Sequence, residues 1–498
     1  MMRSILFLIP FLITFASVLP AQERPKREFR GAWIQTVYQP QYAEMDSARM
    51  CAYFDTLLDT LQHTGINALL FQIRPESDAF YRSEIEPWSR FLTGEQGRAP
   101  ENGWDPMAAL IEKCHSRNIE FHAWINPYRA QCNTAVALDS SHIYYRHPEW
   151  FVEYGRQLLF DPGMPGSRAF IGRVVDDIVA RYDIDAIHMD DYFYPYPIDG
   201  VPFPDTTSYA LYGNVLPLDE WRRSNVDTLI AQLSRDIKRR KPWVRFGISP
   251  FGIYRNNTTS PDGSATCGLQ NYDDLYADVL LWARNGWIDY LIPQLYWEVG
   301  HKAACYEELV RWWNRSVPGS CHLYIGQDVC RSLDAPGVSP LRSQLGYKMV
   351  LSRYLGRISG VCFWSGYPLV DNYKGAADEL RRDYFSAPAL IPAYTYIDDK
   401  APKAVKKLHT RWCPDGFYLE WKADKTRDVM QQAAYYCVYR FDDEDAVDLD
   451  NTRALVATVR DTRYRLPFRD GSSRCVYVVT AVDRQHNESE PQMQKVKL

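Results

Sequence analysis

The sequence predicts a (β/α)8 barrel followed by a small all-β domain, and three observations support this fold. Between residues 29 and 366, eight short apolar runs alternate with longer stretches of helical spacing. No glycine-rich dinucleotide turn follows the first run, so the competing open, doubly wound sheet lacks its usual signature. After Asp383 the pattern changes to short alternating segments separated by turns, which is typical of a small sandwich.

Composition places the chain among ordinary soluble globular proteins. Of its 498 residues, 46% are hydrophobic and 24% are charged, a length that suits one enzyme-sized domain and a smaller one. The net charge of -5 offers no general attraction to nucleic acid or to an anionic membrane, and we expect no nucleic-acid partner. Aromatic residues make up 14% of the chain, enough to line a groove where sugar rings stack as well as to fill a core.

The N-terminal residues predict a secretory signal peptide over residues 1–21. Arg3 precedes an apolar run over residues 5–16, and Leu19-Pro20-Ala21 is suited to cleavage. The run is interrupted by Pro10 and is shorter than the roughly 20 apolar residues that span a bilayer. We therefore expect a secreted or periplasmic protein with no membrane span after the signal peptide is removed.

The predicted barrel covers residues 26–386. Its eight strands follow one another in the order 31–35, 68–73, 120–125, 186–189, 244–248, 289–295, 322–325 and 360–364. Helical spacing between them is clearest over residues 50–64, 106–117, 167–182 and 219–240.

A Pro-rich stretch over residues 387–403 reads as a linker to a domain at 404–498. Predicted strands follow at 417–421, 434–439, 454–459 and 474–480. Trp421, Tyr439 and the run from Tyr477 to Asp483 resemble a fibronectin type III domain. The resemblance implies a module that packs on the barrel, or spaces it from a surface, without chemistry of its own.

The fourth predicted strand has the richest tail. In a barrel of this type the residues just after each strand converge on one mouth. Alternation along the strand turns His188 and Asp190 toward the barrel axis, with Asp190 at the mouth. A carboxylate at that position is hard to explain as packing, although a helix cap or a surface salt bridge remains the plain explanation for one of Asp190 and Asp191.

The tail of the sixth strand adds an amide, a phenol and a carboxylate. Gln294, Tyr296 and Glu298 share a face by the same alternation, and Trp297 is either a stacking platform or a core residue. Further polar and aromatic candidates on other tails are Arg74, Asp78, Asn126, Arg129, Tyr192, Arg255 and Asp328. Such a ring of groups matches the hydroxyl rim and apolar faces of a carbohydrate.

Two carboxylates across such a cleft are the minimum for glycoside hydrolysis. We expect Asp190 to act as nucleophile or general base and Glu298 as the acid, with Asp191 in support. Asp328 and Asp78 are reserves for the acid role.

Other chemistries leave weaker signals. The sequence has no GxSxG elbow, no HExxH helix and no phosphate loop, and its eleven cysteines form no CxxC pair. We therefore expect no metal and no cofactor. One metal site remains an alternative, in which His122, His188 and Asp190 lie close enough to bind one ion. The spacing also leaves a disulfide between a pair such as Cys321 and Cys330 as an open alternative.

Several motifs resemble the glycosyl hydrolase-like family 10. They are Arg30-Gly31-Ala32-Trp33, Gln72-Ile73-Arg74-Pro75, His122-Ala123-Trp124-Ile125-Asn126-Pro127-Tyr128-Arg129, Asp190-Asp191-Tyr192-Phe193-Tyr194-Pro195, Gly247-Ile248-Ser249-Pro250-Phe251-Gly252 and Pro293-Gln294-Leu295-Tyr296-Trp297. The resemblance implies an exported bacterial (β/α)8 glycosidase, some of whose relatives act on peptidoglycan strands stripped of their stem peptides. It also implies that Asp190 is a catalytic carboxylate.

A partial likeness to chitinase-type barrels ends at their DxDxE signature. With Asp190 at the second Asp of that signature, His188 replaces the first Asp and Tyr192 replaces the acid Glu. The mechanism of those enzymes therefore does not transfer.

We predict an exported glycoside hydrolase that cleaves a polysaccharide, and the family resemblance implies a GlcNAc-containing bacterial cell-wall glycan as that substrate. The glycan substrate is the expected partner, and the sequence leaves the oligomeric state and the linkage open. The alternative is a barrel that binds glycan without cleaving it.

Overall fold

A computed structural model describes residues 25–213, 215–339 and 342–498. The predicted signal peptide lies outside these residues. The strands are β1 Phe29–Ile34, β2 Ala68–Arg74, β3 Glu120–Ile125, β4 Arg129–Gln131, β5 Phe151–Tyr154, β6 Gln157–Phe160, β7 Ala186–Met189, β8 Arg245–Ile248, β9 Tyr290–Leu291, β10 His322–Asp328, β11 Ile358–Trp364, β12 Lys406–Cys413, β13 Gly416–Lys422, β14 Tyr435–Phe441, β15 Leu455–Val459, β16 Arg463–Arg465, β17 Arg474–Val482 and β18 Gln492–Lys497.

Helices fill most of the intervals between the barrel strands. They are α1 Ser47–Thr64, α2 Arg90–Thr93, α3 Pro106–Ser116, α4 Pro165–Arg181, α5 Thr206–Tyr212, α6 Leu218–Arg240, α7 Val279–Arg284, α8 Tyr306–Ser316, α9 Val329–Asp334, α10 Gln344–Tyr354, α11 Tyr367–Val370 and α12 Ala376–Glu379. Local capping explains several of their starts: the Asp46 carboxylate accepts a hydrogen bond from the Arg49 amide at the start of α1, and Asp328 does the same for Arg331 at α9.

Eight parallel strands close the predicted barrel. In the order β1, β2, β3, β7, β8, β9, β10 and β11 each pairs with the next, and β11 pairs with β1. Each predicted strand overlaps one of these eight, so the (β/α)8 fold is confirmed. Strand β9 is shorter than predicted because Pro293 has no N–H to donate and interrupts the ladder.

Side chains fill the barrel in two clusters, as the alternation of the strands requires. The interior cluster contains Phe29, Trp33, Trp124, Tyr290 and Tyr324. The larger cluster lies between the strands and the surrounding helices. The barrel is therefore a packed core whose open space lies at its mouth.

A small antiparallel sheet, in the order β4-β6-β5, is inserted after β3 and was not predicted. Its strands have three or four residues, too few for the period-2 pattern to be distinguished from a loop. Strand β4 begins at Arg129, so this insertion helps to fix the tail of β3.

The C-terminal residues form two antiparallel sheets, β12-β13-β16 and β15-β14-β17-β18. This confirms the predicted small all-β region, while its fibronectin type III character stays a prediction. Strands β12 and β18 were missed because they are edge strands with mostly exposed, polar residues.

The segment predicted as a linker is packed against both parts of the chain. Leu390 belongs to a core cluster of the C-terminal sheets, whereas Ile391 and Tyr394 belong to the interior cluster of the barrel. Arg27, just before β1, donates hydrogen bonds to the carbonyls of Ile391 and His486. The start of the barrel, the connecting segment and the C-terminal region therefore meet in one interface.

Candidate active site

A cleft of about 420 Å³ opens at the carboxyl ends of the barrel strands. Its walls are formed by Trp33, Trp124, Asp190, Asp191, Tyr192, Tyr196, Ser249, Phe251, Gln294, Tyr296, Trp297, Arg331 and Trp364. The lining combines two carboxyl groups with eight aromatic side chains, the combination expected of a carbohydrate site.

Asp190 follows β7 directly and is held from one side. The indole Nε1 of Trp124 donates to its Oδ2 at 3.1 Å, and the Nδ2 of Asn126 donates to the same oxygen. The other oxygen, Oδ1, has only a long 3.5 Å contact with the backbone N–H of Tyr192. One carboxyl oxygen of Asp190 is therefore anchored and the other is available to a ligand.

Asn126 is itself fixed by a directed set of hydrogen bonds. Its Oδ1 accepts from Gln72 Nε2 and from an Arg129 guanidinium N–H, both at 2.6 Å. The side-chain oxygen Oε1 of Gln72 accepts from the backbone N–H of Thr36 at 2.9 Å. These contacts leave the Asn126 amide only one way to face Asp190, with its NH2 group toward the carboxyl.

Asp191 is held through both of its oxygens. Gln294 Nε2 donates to Oδ1 at 3.0 Å, and the hydroxyl of Tyr196 donates to Oδ2. Gln294 Nε2 also donates to the carbonyl of Ser249 at 2.9 Å. The tails of β7, β8 and β9 are thereby tied together at this carboxyl.

Both carboxyl groups have a pKa above the usual value of an aspartate. The pKa of Asp190 is raised to about 7, mainly by burial and secondly by the adjacent Asp191 charge. The Arg129 charge has the opposite effect and lowers this pKa. Burial also raises the pKa of Asp191, which the hydrogen bonds from Tyr196 and Gln294 oppose. The pair therefore retains a proton near neutral pH, which is a property of acid–base sites.

Aromatic rings form the floor and the walls of the cleft. Trp124 and Trp364 meet edge to face at a centroid distance of 6.0 Å, and Tyr296 stacks on Trp364 at 6.5 Å. Toward solvent, Tyr192 stacks on Tyr196 at 5.6 Å, and both rings are partly exposed. Their exposed faces are available to a sugar ring.

Six of the predicted site residues line this cleft: Asp190, Asp191, Tyr192, Gln294, Tyr296 and Trp297. Asn126 and Arg129 lie directly beneath it, and the guanidinium of Arg129 lies 5.3 Å from the Tyr192 ring centroid. Barrel topology brings these strand tails together, and strand alternation accounts for Asp190, Gln294 and Tyr296 among them.

Glu298 does not join them. The extended conformation ends after Tyr296, and the Glu298 carbonyl accepts from the amides of His301 and Tyr306 as the chain turns away. Its carboxylate charge, like that of Asp328, instead raises the pKa of the buried Lys348. Burial has the larger, opposite effect and lowers the pKa of Lys348 to about 8. Asp328 caps α9 and is likewise outside the cleft lining.

Three further predicted sugar-binding residues have structural partners. Arg74 is fully buried and binds the Glu86 carboxylate through two nitrogens. Asp78 is buried beside Gln96, and burial together with the Glu76 charge raises its pKa to about 7. Arg255 forms a two-point pair with Asp273. None of the three lines the cleft.

The structure adds cleft residues that were not among the predicted binding set. Ser249 and Phe251 follow β8, the fifth barrel strand, and Trp364 ends β11, the eighth. Trp33 lies within β1, where its inward direction was the available signal. Arg331 comes from the first turn of α9, and the sequence held no sign that this turn reaches the cleft.

The histidine alternative for a metal site is not assembled. His122 and His188 both contact the Tyr290 hydroxyl, and neither is hydrogen-bonded to Asp190. Within the described residues no group of three or more His, Cys, Asp or Glu side chains is arranged to hold a metal ion. All eleven cysteines, including Cys321 and Cys330, are free thiols.

The glycosyl hydrolase-like 10 family matches residues 28–338, from the start of β1 to beyond α9. This range is more than half of the chain and contains the carboxyl pair. The chain belongs to the glycosyl hydrolase-like 10 family.

Curated relatives extend this similarity beyond the barrel. The chain is 40% identical to the Glycosyl hydrolase YngK of Bacillus subtilis (strain 168), over 97% of this chain and 96% of that protein. It is 36% identical to the Glycosyl hydrolase DigH of Escherichia coli (strain K12), over 76% of this chain and 88% of that protein. Family and relatives together identify the chain as a glycoside hydrolase.

Solved structures show a more distant similarity. The glycoside hydrolase domain of PgaB (BpsB) from Bordetella bronchiseptica has a TM-score of 0.45 at 12% identity, and covers 72% of this chain and 99% of its own. The catalytic domain of a β-amylase from Paenibacillus polymyxa has a TM-score of 0.47 at 12% identity, with coverages of 73% and 99%. No helix in the described parts of the chain is long and apolar enough to cross a membrane.

Proposed function

We propose that this glycoside hydrolase is exported and cleaves a GlcNAc-containing cell-wall glycan with Asp190 and Asp191 as its carboxyl pair. The observation that carries the mechanism is the placement of two adjacent, buried carboxyl groups in an aromatic cleft, each with its own set of donors. The cell-wall substrate and the export rest on the sequence motifs and the predicted signal peptide.

The contacts favour different roles for the two groups. Asp191 accepts hydrogen bonds on both oxygens, which stabilises its charged form. Asp190 has a pKa of about 7 and one oxygen with only a long backbone contact, so it retains the proton and can give it to the leaving oxygen. We therefore assign Asp190 as the acid and Asp191 as the nucleophile or base, which replaces the sequence-based choice of Glu298 as acid.

Substitution of each carboxyl group tests this assignment. D190N and D191N should each lower kcat by about a thousandfold or more, because two-carboxylate hydrolysis needs both an acid and a charged partner. Binding should persist, since the amide keeps the shape of the side chain. The measurement is release of reducing ends and of products, by mass spectrometry, from cell-wall glycan stripped of peptides.

E298Q separates this assignment from the earlier expectation. A glutamate outside the cleft should tolerate the change with kcat within about threefold of the wild type, since it touches no reacting group. A loss in E298Q as large as that in D190N would restore Glu298 as the acid. Wild-type protein that binds the stripped glycan and releases no reducing ends would overturn the proposed substrate in favour of a binding role.

A further inference from the structure

A continuous row of hydrogen bonds crosses the barrel interior. On the side away from the cleft, His486 Nε2 lies 2.7 Å from Glu120 Oε1, and Glu120 Oε2 lies 3.0 Å from His122 Nε2. His122 Nδ1 is 2.8 Å from the Tyr290 hydroxyl, which is 3.2 Å from His188 Nδ1. All five side chains are buried, and we call Glu120, His122, Tyr290 and His188 the interior chain.

The interior chain ends at the floor of the cleft. His188 Nε2 is 3.1 Å from the indole Nε1 of Trp33 and 3.0 Å from the hydroxyl of Ser249, and both of these residues line the cleft. The carbonyl of Ser249 accepts from Gln294, which also donates to Asp191. A connected path therefore runs from His188 to a carboxyl group of the active site.

Trp33 at one end and Glu120 at the other set the direction of the hydrogen bonds between them. An indole N–H can only donate, so His188 Nε2 accepts from Trp33 and the proton of His188 is on Nδ1, facing Tyr290. An ionised carboxylate can only accept, so His122 donates from Nε2 to Glu120 and accepts on Nδ1 from Tyr290. The Tyr290 hydroxyl accepts from one imidazole and donates to the other.

Charge and burial support this arrangement. Burial lowers the pKa of both His122 and His188, which keeps the two imidazoles neutral. Burial alone would raise the pKa of Glu120, but Arg245 and His486 hold it well below its usual value. Glu120 therefore stays ionised and keeps its role as an acceptor.

The packing leaves space for the central phenol. Gly247 on β8 faces the Tyr290 ring, and a Cβ at that position would lie 1.9 Å from it. A larger residue at 247 would displace the Tyr290 ring from between the two imidazoles.

We propose that Glu120, His122 and Tyr290 are positioning residues that, together with the Trp33 indole N–H, fix the proton of His188 on Nδ1, and that the C-terminal region contributes His486 to this task. The opposite tautomer would set an Nε2–H against the Trp33 indole N–H at 3.1 Å, and the cleft floor would have to move. The inference rests on the proposed function in one respect, since it treats Asp191 as a catalytic group.

Tyr290→Phe and Tyr324→Phe form a matched test. Both tyrosines are fully buried in the barrel interior with ring centroids 5.7 Å apart, but the Tyr324 hydroxyl pairs with Tyr394 and not with the interior chain. Y290F should lower kcat about tenfold or more with KM within about twofold, because misplacing a catalytic group by a fraction of an ångström is enough to slow turnover. Y324F should keep the wild-type kcat.

Imidazole ¹⁵N shifts provide a readout that needs no substrate. In wild type and Y324F, His188 should show a protonated Nδ1 and an unprotonated Nε2, with its signals assigned by their loss in H188N. Y290F leaves the His188 Nδ1–H without its acceptor, whereas an Nε2–H could donate to the Ser249 hydroxyl against the opposition of Trp33, so His188 should show a mixture of tautomers. The proposal would be overturned if Y290F kept the His188 shifts and the kcat of the wild type, or if Y290F and Y324F lost kcat equally.

His486 provides a second pair in the full chain if Y290F does not fold. Arg245 also donates to Glu120 Oε1, so His486→Ala removes one of two donors to that oxygen. It should move the His188 shifts and kcat in the same direction as Y290F but by less, whereas His486→Gln retains an N–H donor and should restore both. Equal behaviour of the two His486 variants would contradict the role of the C-terminal region. If D190N and D191N remain active while Y290F still alters the His188 tautomer, the carboxyl assignment fails and the interior chain stands.

Discussion

Asp190 and Asp191 are neighbours in sequence, yet their surroundings differ enough to separate their chemistry. Asp190 receives its two close donors on one oxygen, whereas Asp191 receives one donor on each oxygen. Both are buried, so each charge is felt strongly by the other. This asymmetry allows one carboxyl group to be protonated while the other is ionised at the same pH, as a two-carboxylate site requires.

Arg129 should tune the pH dependence of the reaction. If Asp190 is the acid, activity falls as pH rises through its pKa of about 7, and this alkaline limb appears in kcat/KM. The Arg129 charge lowers the pKa of Asp190, so R129Q should raise it and move the limb to higher pH by about one unit.

R129K is the matched control, because it keeps the positive charge beneath Asp190. Its alkaline limb should stay near that of the wild type even if kcat falls. A limb that moves to lower pH in R129Q, or that moves equally in both variants, would contradict the acid role of Asp190. The measurement is the pH profile of kcat/KM on the stripped glycan.

Residue positions that depend on strand direction were predictable, and those that depend on loops were not. Asp190, Gln294 and Tyr296 lie where alternation and the barrel mouth place them. Glu298 is two residues beyond Tyr296, but the chain has already turned there, and a period-2 pattern carries no information about a turn that breaks it. Arg331 reaches the cleft from a helix, through a geometry that only the folded chain defines.

At the level of the element, strand tails serve the site in two ways: some residues face the cleft and others hold the loops that shape it. Arg74, at the end of β2, donates to the carbonyls of Asn126 and Pro127 at 2.6 and 3.1 Å and binds Glu86. It therefore fixes the tail of β3 beneath Asp190. The sequence predicted the correct strand tail, but residue type alone does not distinguish a buried structural arginine from one that binds sugar.

Arg74→Ala should destabilise the fold by about 3–5 kcal/mol, because it leaves the buried Glu86 charge without its partner. Arg255→Ala is the comparison, since its pair with Asp273 is half-buried and should contribute only about 0–1 kcal/mol. Chemical denaturation of both variants measures the difference.

Kinetics below the unfolding transition then separate structure from binding. Folded R74A should show a KM close to that of the wild type, because Arg74 does not line the cleft. A large rise in KM with unchanged stability would show instead that Arg74 contacts the sugar.

At the level of the whole molecule, the connecting segment joins two cores. Leu390 packs into the C-terminal sheets, and Tyr394, four residues later, packs inside the barrel. A Pro-rich composition predicted the crossing between domains, but not that its apolar residues would be buried on both sides. Composition reports turn preference, whereas burial depends on which surfaces the segment meets.

Barrel and C-terminal region should therefore unfold together. Tyr394 is fully buried, its hydroxyl pairs with Tyr324 at 2.7 Å, and its ring lies beside His322 and beneath the Arg245 guanidinium. Y394A should lower the free energy of unfolding by about 3–5 kcal/mol, the usual effect of removing a buried aromatic ring. Tyr354 is 65% exposed, and Y354A should stay within about 0.5 kcal/mol of the wild type.

Hydrogen exchange read by mass spectrometry distinguishes a shared interface from two independent domains. In Y394A, protection should fall by a similar factor in peptides from the barrel strands and in peptides from β14 and β17, because both cores lose the contacts that hold the connecting segment. Loss of protection confined to the barrel would show that the C-terminal sheets fold on their own. In that case His486 would have to be held against Glu120 by the surface contacts of the two domains rather than by the shared segment.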